Sequence, residues 1–292
     1  MKKAFLMISV IVLCIACTEP TKNQDSTTTT ETAEATSAFP EIKEGEVMAG
    51  INLTVAESKR LIAKGIANHP QVKALLKKGT IVITNGSTNT YLAEELVGLS
   101  EPRGSFVTGH IAPQDRGSIS EGLTRIGYIT IVDGKRVELS ADESINKAQK
   151  GDIIFKGANL LNYEKKQAGV CIGGESGGTM ARLRKSEAHV IVPVGLEKET
   201  FGDLSAYEKL FENRPEQITP VPRVWLHSAE AEIFTEIEAI KTIAAVNVVP
   251  YAAGGVAGCE GGISLAIYGT KEEVQKALDF IATVQGETSF VK

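Results

Sequence analysis

Cysteine is scarce in this chain. Four occur in 292 residues, and two of them, Cys14 and Cys17, fall within the first 17 positions. The other two, Cys171 and Cys259, are too few for a structural zinc site built on thiolates. Histidine is also sparse: His69, His110, His189 and His227 are scattered, with no HExxH-like spacing. No metal site is expected. A surplus of positive charge is missing as well. Against 31 basic residues stand 36 acidic ones, a net charge of −5. A nucleic-acid partner would call for a basic stripe, so none is expected. No glycine loop is followed by the GK[ST] of a Walker motif, and no cofactor is expected. The apolar run at the start, residues 4–16, is short. At ~1.5 Å per helical residue it falls well below the ~30 Å of a hydrocarbon layer.

That run is instead the core of a secretory signal. Lys2 and Lys3 give it a basic head, and small Ala16 precedes Cys17. The segment Cys14-Ile15-Ala16-Cys17 resembles the lipobox of bacterial lipoproteins, with Cys14 where leucine is usual. The resemblance implies cleavage after residue 16, lipidation of Cys17, and attachment of the protein to a membrane of the bacterial cell envelope. An ordinary cleaved signal is the alternative. Residues 18–45 are rich in Thr, Ser, Glu and Ala, with a run at Thr27 to Thr30. They lack the apolar surface to offset the entropy of ordering, so they read as a disordered tether. Loss of the signal removes two lysines and no acid, which makes the charge more negative still. An oxidising compartment would permit a Cys171–Cys259 disulfide; two separate small buried residues are the alternative.

The folded part reads as an α/β domain over residues 46–222, followed at 223–292 by a small α+β lobe or the last part of the same domain. Pro220 and Pro222 mark the boundary candidate. Thr54 and Glu57 form a capping-box signature, and Val55, Leu61, Ile62 and Ile66 give a helical stripe. His69-Pro70 ends that helix and can start a short one. Thr80 to Thr84 is a β-branched run suited to a buried strand, Asn85 to Asn89 a turn, and Thr90 to Val97 a helix stopped by Gly98. Strands are expected at Tyr128 to Val132 and Arg136 to Leu139, joined by the hairpin signal Asp133-Gly134. Others are expected at Asp152 to Lys156, Gln167 to Gly173 and Ala188 to Val192, with a helix from Met180 to Ser186. Repeated strand–turn–helix units imply a mainly parallel sheet with helices on both faces. Toward the end, Ala229 to Ala244 reads as helical, Val246 to Ala252 and Gly262 to Tyr268 as strands, and Thr270 caps a helix through Ile281.

Four segments could carry chemistry. In the first, a strand delivers Gly86-Ser87-Thr88 to a helix start, where free N–H groups and the positive end of the helix dipole favour a phosphate or carboxylate. Simple capping by Ser87 or Thr88 is the alternative. The second is Gly173-Gly174-Glu175-Ser176-Gly177-Gly178-Thr179, whose glycines let a ligand approach the backbone and whose Glu175 is a candidate acid, base or nucleophile. A tight turn with a solvated Glu175 is the alternative. The third, Gly254 to Gly262 with Glu260, is a second ligand wall or only a turned loop. The fourth joins His110 with Asp115 and Arg116, as a catalytic cluster or a surface loop.

Three stretches resemble a known superfamily. Gly86-Ser87-Thr88 within Thr80 to Leu96, Phe155-Lys156-Gly157-Ala158-Asn159, and Gly177-Gly178-Thr179 with Val190 to Val194 are similar to segments of the group that includes ribose-5-phosphate isomerase, glucosamine-6-phosphate deaminase and coenzyme A transferases. The resemblance implies that fold, anion binding at Gly86, Ser87 and Thr88, and association of identical chains. Asn159 stands where the isomerases carry aspartate. Three functions follow as expectations: a lipoprotein binding a small anionic metabolite through Gly86–Thr88 and Gly173, Gly174, Gly177, Gly178 and Thr179; an isomerase or acyl-transferase enzyme using Glu175 or His110; and a scaffold without a small ligand.

Overall fold

The capping box at Thr54 forms as its residues dictate. Thr54 Oγ1 accepts the Glu57 N–H at 3.2 Å, and the Glu57 carboxylate accepts the Thr54 N–H at 2.8 Å. It starts one of eight helices in a computed structural model that describes residues 39–111, 118–172 and 178–290. The signal, the tether up to residue 38 and Cys17 lie outside the described residues, as do Asp115, Arg116, Gly173, Gly174, Glu175 and Gly177. No helix among the described residues is long and apolar enough to cross a membrane.

Along the chain run β1 (Val47–Leu53), α1 (Val55–Asn68), α2 (Pro70–Leu75), β2 (Thr80–Ile83) and α3 (Ser87–Val97). A hairpin of β3 (Ile129–Val132) and β4 (Lys135–Val137) follows, then α4 (Ala141–Lys147), β5 (Ile153–Phe155), β6 (Leu160–Asn162), β7 (Gln167–Ile172), α5 (Thr179–Leu183) and β8 (His189–Pro193). The chain ends with α6 (Leu204–Glu212), β9 (Arg223–Leu226), β10 (Glu232–Phe234), α7 (Glu236–Lys241), β11 (Asn247–Gly254), β12 (Gly262–Gly269) and α8 (Lys271–Ala282).

The architecture is mixed α/β. The central sheet has six strands in the order β10-β8-β5-β2-β3-β4. The pairs β10–β8, β8–β5 and β5–β2 are parallel; β2–β3 and β3–β4 are antiparallel. The sheet is therefore mixed. Its antiparallel edge follows from the two-residue turn at Asp133 (φ 48°) and Gly134 (φ 77°), both in the left-handed region that a type I′ hairpin needs. The residues of β2 and β5 are all buried, which is why they read as unbroken apolar runs. Ile81, Ile83 and Phe155 pack with Leu61, Ile62 and Ile66 of α1 in the main core. Val82 and Ile154 pack with Ile145 of α4 and Met180 and Leu183 of α5 in a second cluster.

Two expectations are corrected. The strand at 167–172 is not in the central sheet: β7 lies between β6 and β9 in a separate antiparallel sheet of three. And 229–244 is not one helix. Ile233 and Phe234 pair with Val192 and Pro193 inside the central sheet, and a fresh capping box, Thr235 with Glu238, starts α7 after them. Residues from Arg223 onward contribute to all three sheets: β9 pairs with β7, β10 with β8, and β12 with β1 and β11. Helix α1 lies close on α7: a Cβ on Gly65 would fall 2.5 Å from Ala239 Cα.

Candidate functional site

Strands β2, β5 and β8 run parallel, so the segments that leave their carboxyl ends emerge on one edge of the sheet. Ligands of open α/β sheets bind at such edges. A cavity of about 520 Å³ lies there, lined by Asn85 to Asn89 after β2, Lys156 to Asn159 after β5, and Lys198 in the short 3-10 turn after β8. Lys59 of α1, His110, Tyr128, Cys171, Gly178, Thr179, Arg182 and Phe290 complete much of the wall.

The turn after β2 is held by its own side chains. Gly86 N–H donates to Phe106 O at 3.0 Å, and Asn85 Nδ2 to Ile126 O at 2.9 Å. Buried Asn89 donates from Nδ2 to Thr84 O at 2.8 Å and to Phe155 O at 3.1 Å, tying the ends of β2 and β5 together. Helix α3 starts at Ser87, three residues earlier than its sequence suggests, with Gly86 as its N-cap. No side chain caps it, so the first-turn N–H groups face the cavity without a side-chain acceptor. The Ser87 and Thr88 hydroxyls make no hydrogen bond among the described residues, so neither serves as the cap.

The cations come from elements far apart in sequence. Lys156 Nζ donates to Gly157 O at 3.1 Å and has no carboxylate partner among the described residues. Burial pushes its ammonium down to about 8. His227 shares the same acceptor, its Nε2 lying 3.3 Å from Gly157 O. Burial first, and the Lys156 charge second, push His227 down to about 3, so the ring is neutral and donates from Nε2. Lys59, 7% exposed, is lowered to about 8 by burial, with Glu197 opposing and Lys198 adding to the fall. Its Nζ lies 5.6 Å from the centre of the Phe290 ring. Arg182 is paired with Asp142. No aspartate or glutamate lines the cavity among the described residues.

Two carboxylates sit behind the lysines. Glu236, fully buried at the start of α7, accepts the Leu196 N–H at 3.0 Å. Burial, with the charge of Glu197 next, pushes it up to about 8, so it is protonated near neutral pH. Both carboxylate oxygens of Glu197 are buried and lack a hydrogen bond, and Lys198 Nζ stands 3.4 Å from Oε1 without hydrogen-bond geometry.

The candidate residues of the sequence divide accordingly. Gly86, Ser87, Thr88, Gly178, Thr179 and exposed His110 line the cavity. The Thr179 hydroxyl is already bonded to Tyr128. Glu260 does not line it: its carboxylate accepts the Gly258 N–H at 2.9 Å within its own exposed loop. Cys171 and Cys259 are both free, and burial pushes the Cys171 thiol up. Asn159 Oδ1 accepts the Cys171 N–H at 2.8 Å, so this side chain extends the ladder of β7. Lys59, Lys156 and Lys198 were not singled out by sequence reasoning. The one local signal was Lys156, a charge at the end of the apolar run Ile153-Ile154-Phe155. Comparison with models of known families, with curated proteins and with solved structures found no match.

Proposed function

We propose that the protein is a binding lipoprotein of the bacterial cell envelope, tethered through Cys17, whose cavity holds a small anionic metabolite. The observation that carries the reading is the meeting, in one cavity without a lining carboxylate among the described residues, of the uncapped start of α3 with Lys59, Lys156 and Lys198. Backbone N–H groups and the helix dipole favour an anion at Gly86–Thr88. The Lys198 charge works against that of Lys59, and a bound anion relieves that cost. A cavity of about 520 Å³ suits an organic ligand better than a bare ion, since small-molecule sites run from ~300 to ~1,000 Å³. The Gly-Ser-Thr turn of the sugar-phosphate enzymes that this sequence resembles supports the same assignment.

The test is a thermal-shift titration of the full-length chain with phosphate, sugar phosphates, sugar acids, nucleotides and coenzyme A esters. A ligand that binds only the native state raises the melting point as its concentration passes Kd. The expected result is stabilisation by at least one phosphorylated or carboxylated metabolite, diminished in a Lys59→Ala/Lys198→Ala double variant. A flat response to every anion would refute the assignment and turn attention to a protein partner.

A further inference from the structure

Lys59 and Lys156 differ in what surrounds their amines. Lys59 keeps two partners for its charge, the Glu197 carboxylate and the face of Phe290. Lys156 keeps neither. Its Nζ has one hydrogen bond, to Gly157 O at 3.1 Å, and no carboxylate among the described residues. A neutral amine keeps two N–H donors and can still make that single bond, though more weakly than an ammonium. The neighbour on the same carbonyl, His227, is a neutral ring that offers no compensating charge. An amine held with little to favour its protonated form, opening into a ligand cavity, is the environment of a nucleophilic lysine.

We propose that Lys156 is a nucleophile that forms a reversible imine with a carbonyl-bearing anionic metabolite in this cavity. The proposal rests on the anion-binding reading, which supplies the ligand's anchor at Gly86–Thr88. In the step, the neutral Lys156 nitrogen attacks the carbonyl carbon and a C–N bond forms. The C=O π electrons move to oxygen, which takes up a proton. The nitrogen releases its two protons in all, the oxygen leaves as water, and a C=N bond remains. Addition of water reverses every stage, so no oxidant or further reactant enters. The ligand class is an aldehyde or ketone that also carries a phosphate or carboxylate.

With its amine lowered to about 8 from the ordinary 10.5, Lys156 has a few-hundred-fold larger free-amine share near neutral pH than a surface lysine, at roughly one pH unit per tenfold. Lower basicity also weakens a nucleophile, so a net labelling advantage of about tenfold to a hundredfold is expected.

The experiment treats the full-length chain with glycolaldehyde phosphate and sodium cyanoborohydride, which reduces an imine to a stable amine, and maps adducts by peptide mass spectrometry. Expected are preferential modification of Lys156 over Lys59 and over surface lysines such as Lys209, competition by inorganic phosphate, and a rate that levels off above about pH 8. Lys156→Arg should lose the adduct, and its own melting curve shows whether it is folded. The wild-type map does not depend on that variant. Adducts spread evenly over surface lysines, or favouring Lys59, would overturn the proposal. So would the lack of a Lys156 adduct in a chain that phosphate stabilises; that outcome leaves the anion site standing. Adduct formation on Lys156 with no competition or stabilisation by phosphate would instead overturn the anion anchor.

Discussion

Arg103 Nη2 donates to Glu287 Oε1 at 2.7 Å, across 184 residues of sequence. The other oxygen of Glu287 accepts Arg60 Nε at 2.8 Å, and both arginines also hold Glu94. The guanidinium carbons of Arg60 and Arg103 lie 4.8 and 4.2 Å from the centre of the Tyr91 ring. The result is a clasp that binds the end of the chain to α1 and α3. Three residues beyond Glu287, Phe290 packs on Tyr91 and reaches the cavity wall.

Glu287→Ala should therefore act at two distances. Each arginine keeps Glu94, so neither is left unpaired, and the half-buried position limits the loss to about 1–3 kcal/mol. Urea unfolding measures that term. Hydrogen exchange should also quicken over residues 284–290, and ligand affinity should fall because Phe290 no longer holds its place. Unchanged exchange in that segment would show that the clasp does not hold the chain end.

Gly86→Val separates folding from binding. The φ of Gly86, 164°, is extended backbone that any residue adopts, and an added Cβ would meet only Asn89 Cβ, at 3.9 Å. The protein itself therefore tolerates the side chain, which projects where an anion would approach the first turn of α3. Valine is a poorer N-cap than glycine, so a cost of about 1 kcal/mol is expected. The melting point without ligand should fall only slightly, while the stabilisation by phosphate disappears. A variant that still responds to phosphate would place the anion elsewhere.

Asn159→Asp tests the position where the resembling isomerases carry aspartate. The acid can still accept the Cys171 N–H, but it cannot donate to Cys171 O, which Asn159 Nδ2 approaches at 3.4 Å. It also brings a negative charge into a cavity lined by lysines. Phosphate affinity should drop about tenfold, the size of a coupling near 1.4 kcal/mol. Labelling of Lys156 should slow, because a nearby carboxylate favours its ammonium form. Equal affinity in the two proteins would mean that Asn159 stands away from the ligand.

The parts of this fold that were legible in the sequence are the local ones. Thr54 and Glu57 announce α1 because both partners of the capping box lie within four residues. Asp133-Gly134 announces its hairpin for the same reason. The Gly86–Thr88 turn is strand, turn and helix in immediate succession. The lysines of the cavity were not legible because their meeting depends on distant pairings. Lys59 looks like the polar face of an amphipathic helix, but α1 is covered on two sides, by α3 and by α7, whose close approach depends on Gly65. Lys198 reaches the cavity only because β8 pairs with β5. The strand β10 was hidden inside a helical pattern: three residues are too few to show a period, and only β8 beside it makes them a strand.

The acid–base balance of the buried groups yields a last prediction, with a sign. The Glu236 carboxyl is pushed up to about 8 in the folded protein, against 4.5 ordinarily. Between those values the folded state keeps a proton that the unfolded state has lost, so stability falls as pH rises. His227 acts oppositely: at about 3 folded and 6.5 ordinarily, it makes stability fall as pH drops below 6.5. Lys59 and Lys156, lowered from 10.5 to about 8, make stability rise with pH above 8. Between about pH 6.5 and 8 Glu236 sets the slope, and Glu199, whose carboxyl burial also raises, acts in the same direction. There the wild-type chain should lose stability in urea unfolding as pH increases. Glu236→Gln, whose amide oxygen can still accept the Leu196 N–H, should be nearly flat over the same interval and should overtake the wild type near pH 8. Parallel curves for the two proteins would mean that Glu236 is ionised in the fold, and that burial does not hold its proton.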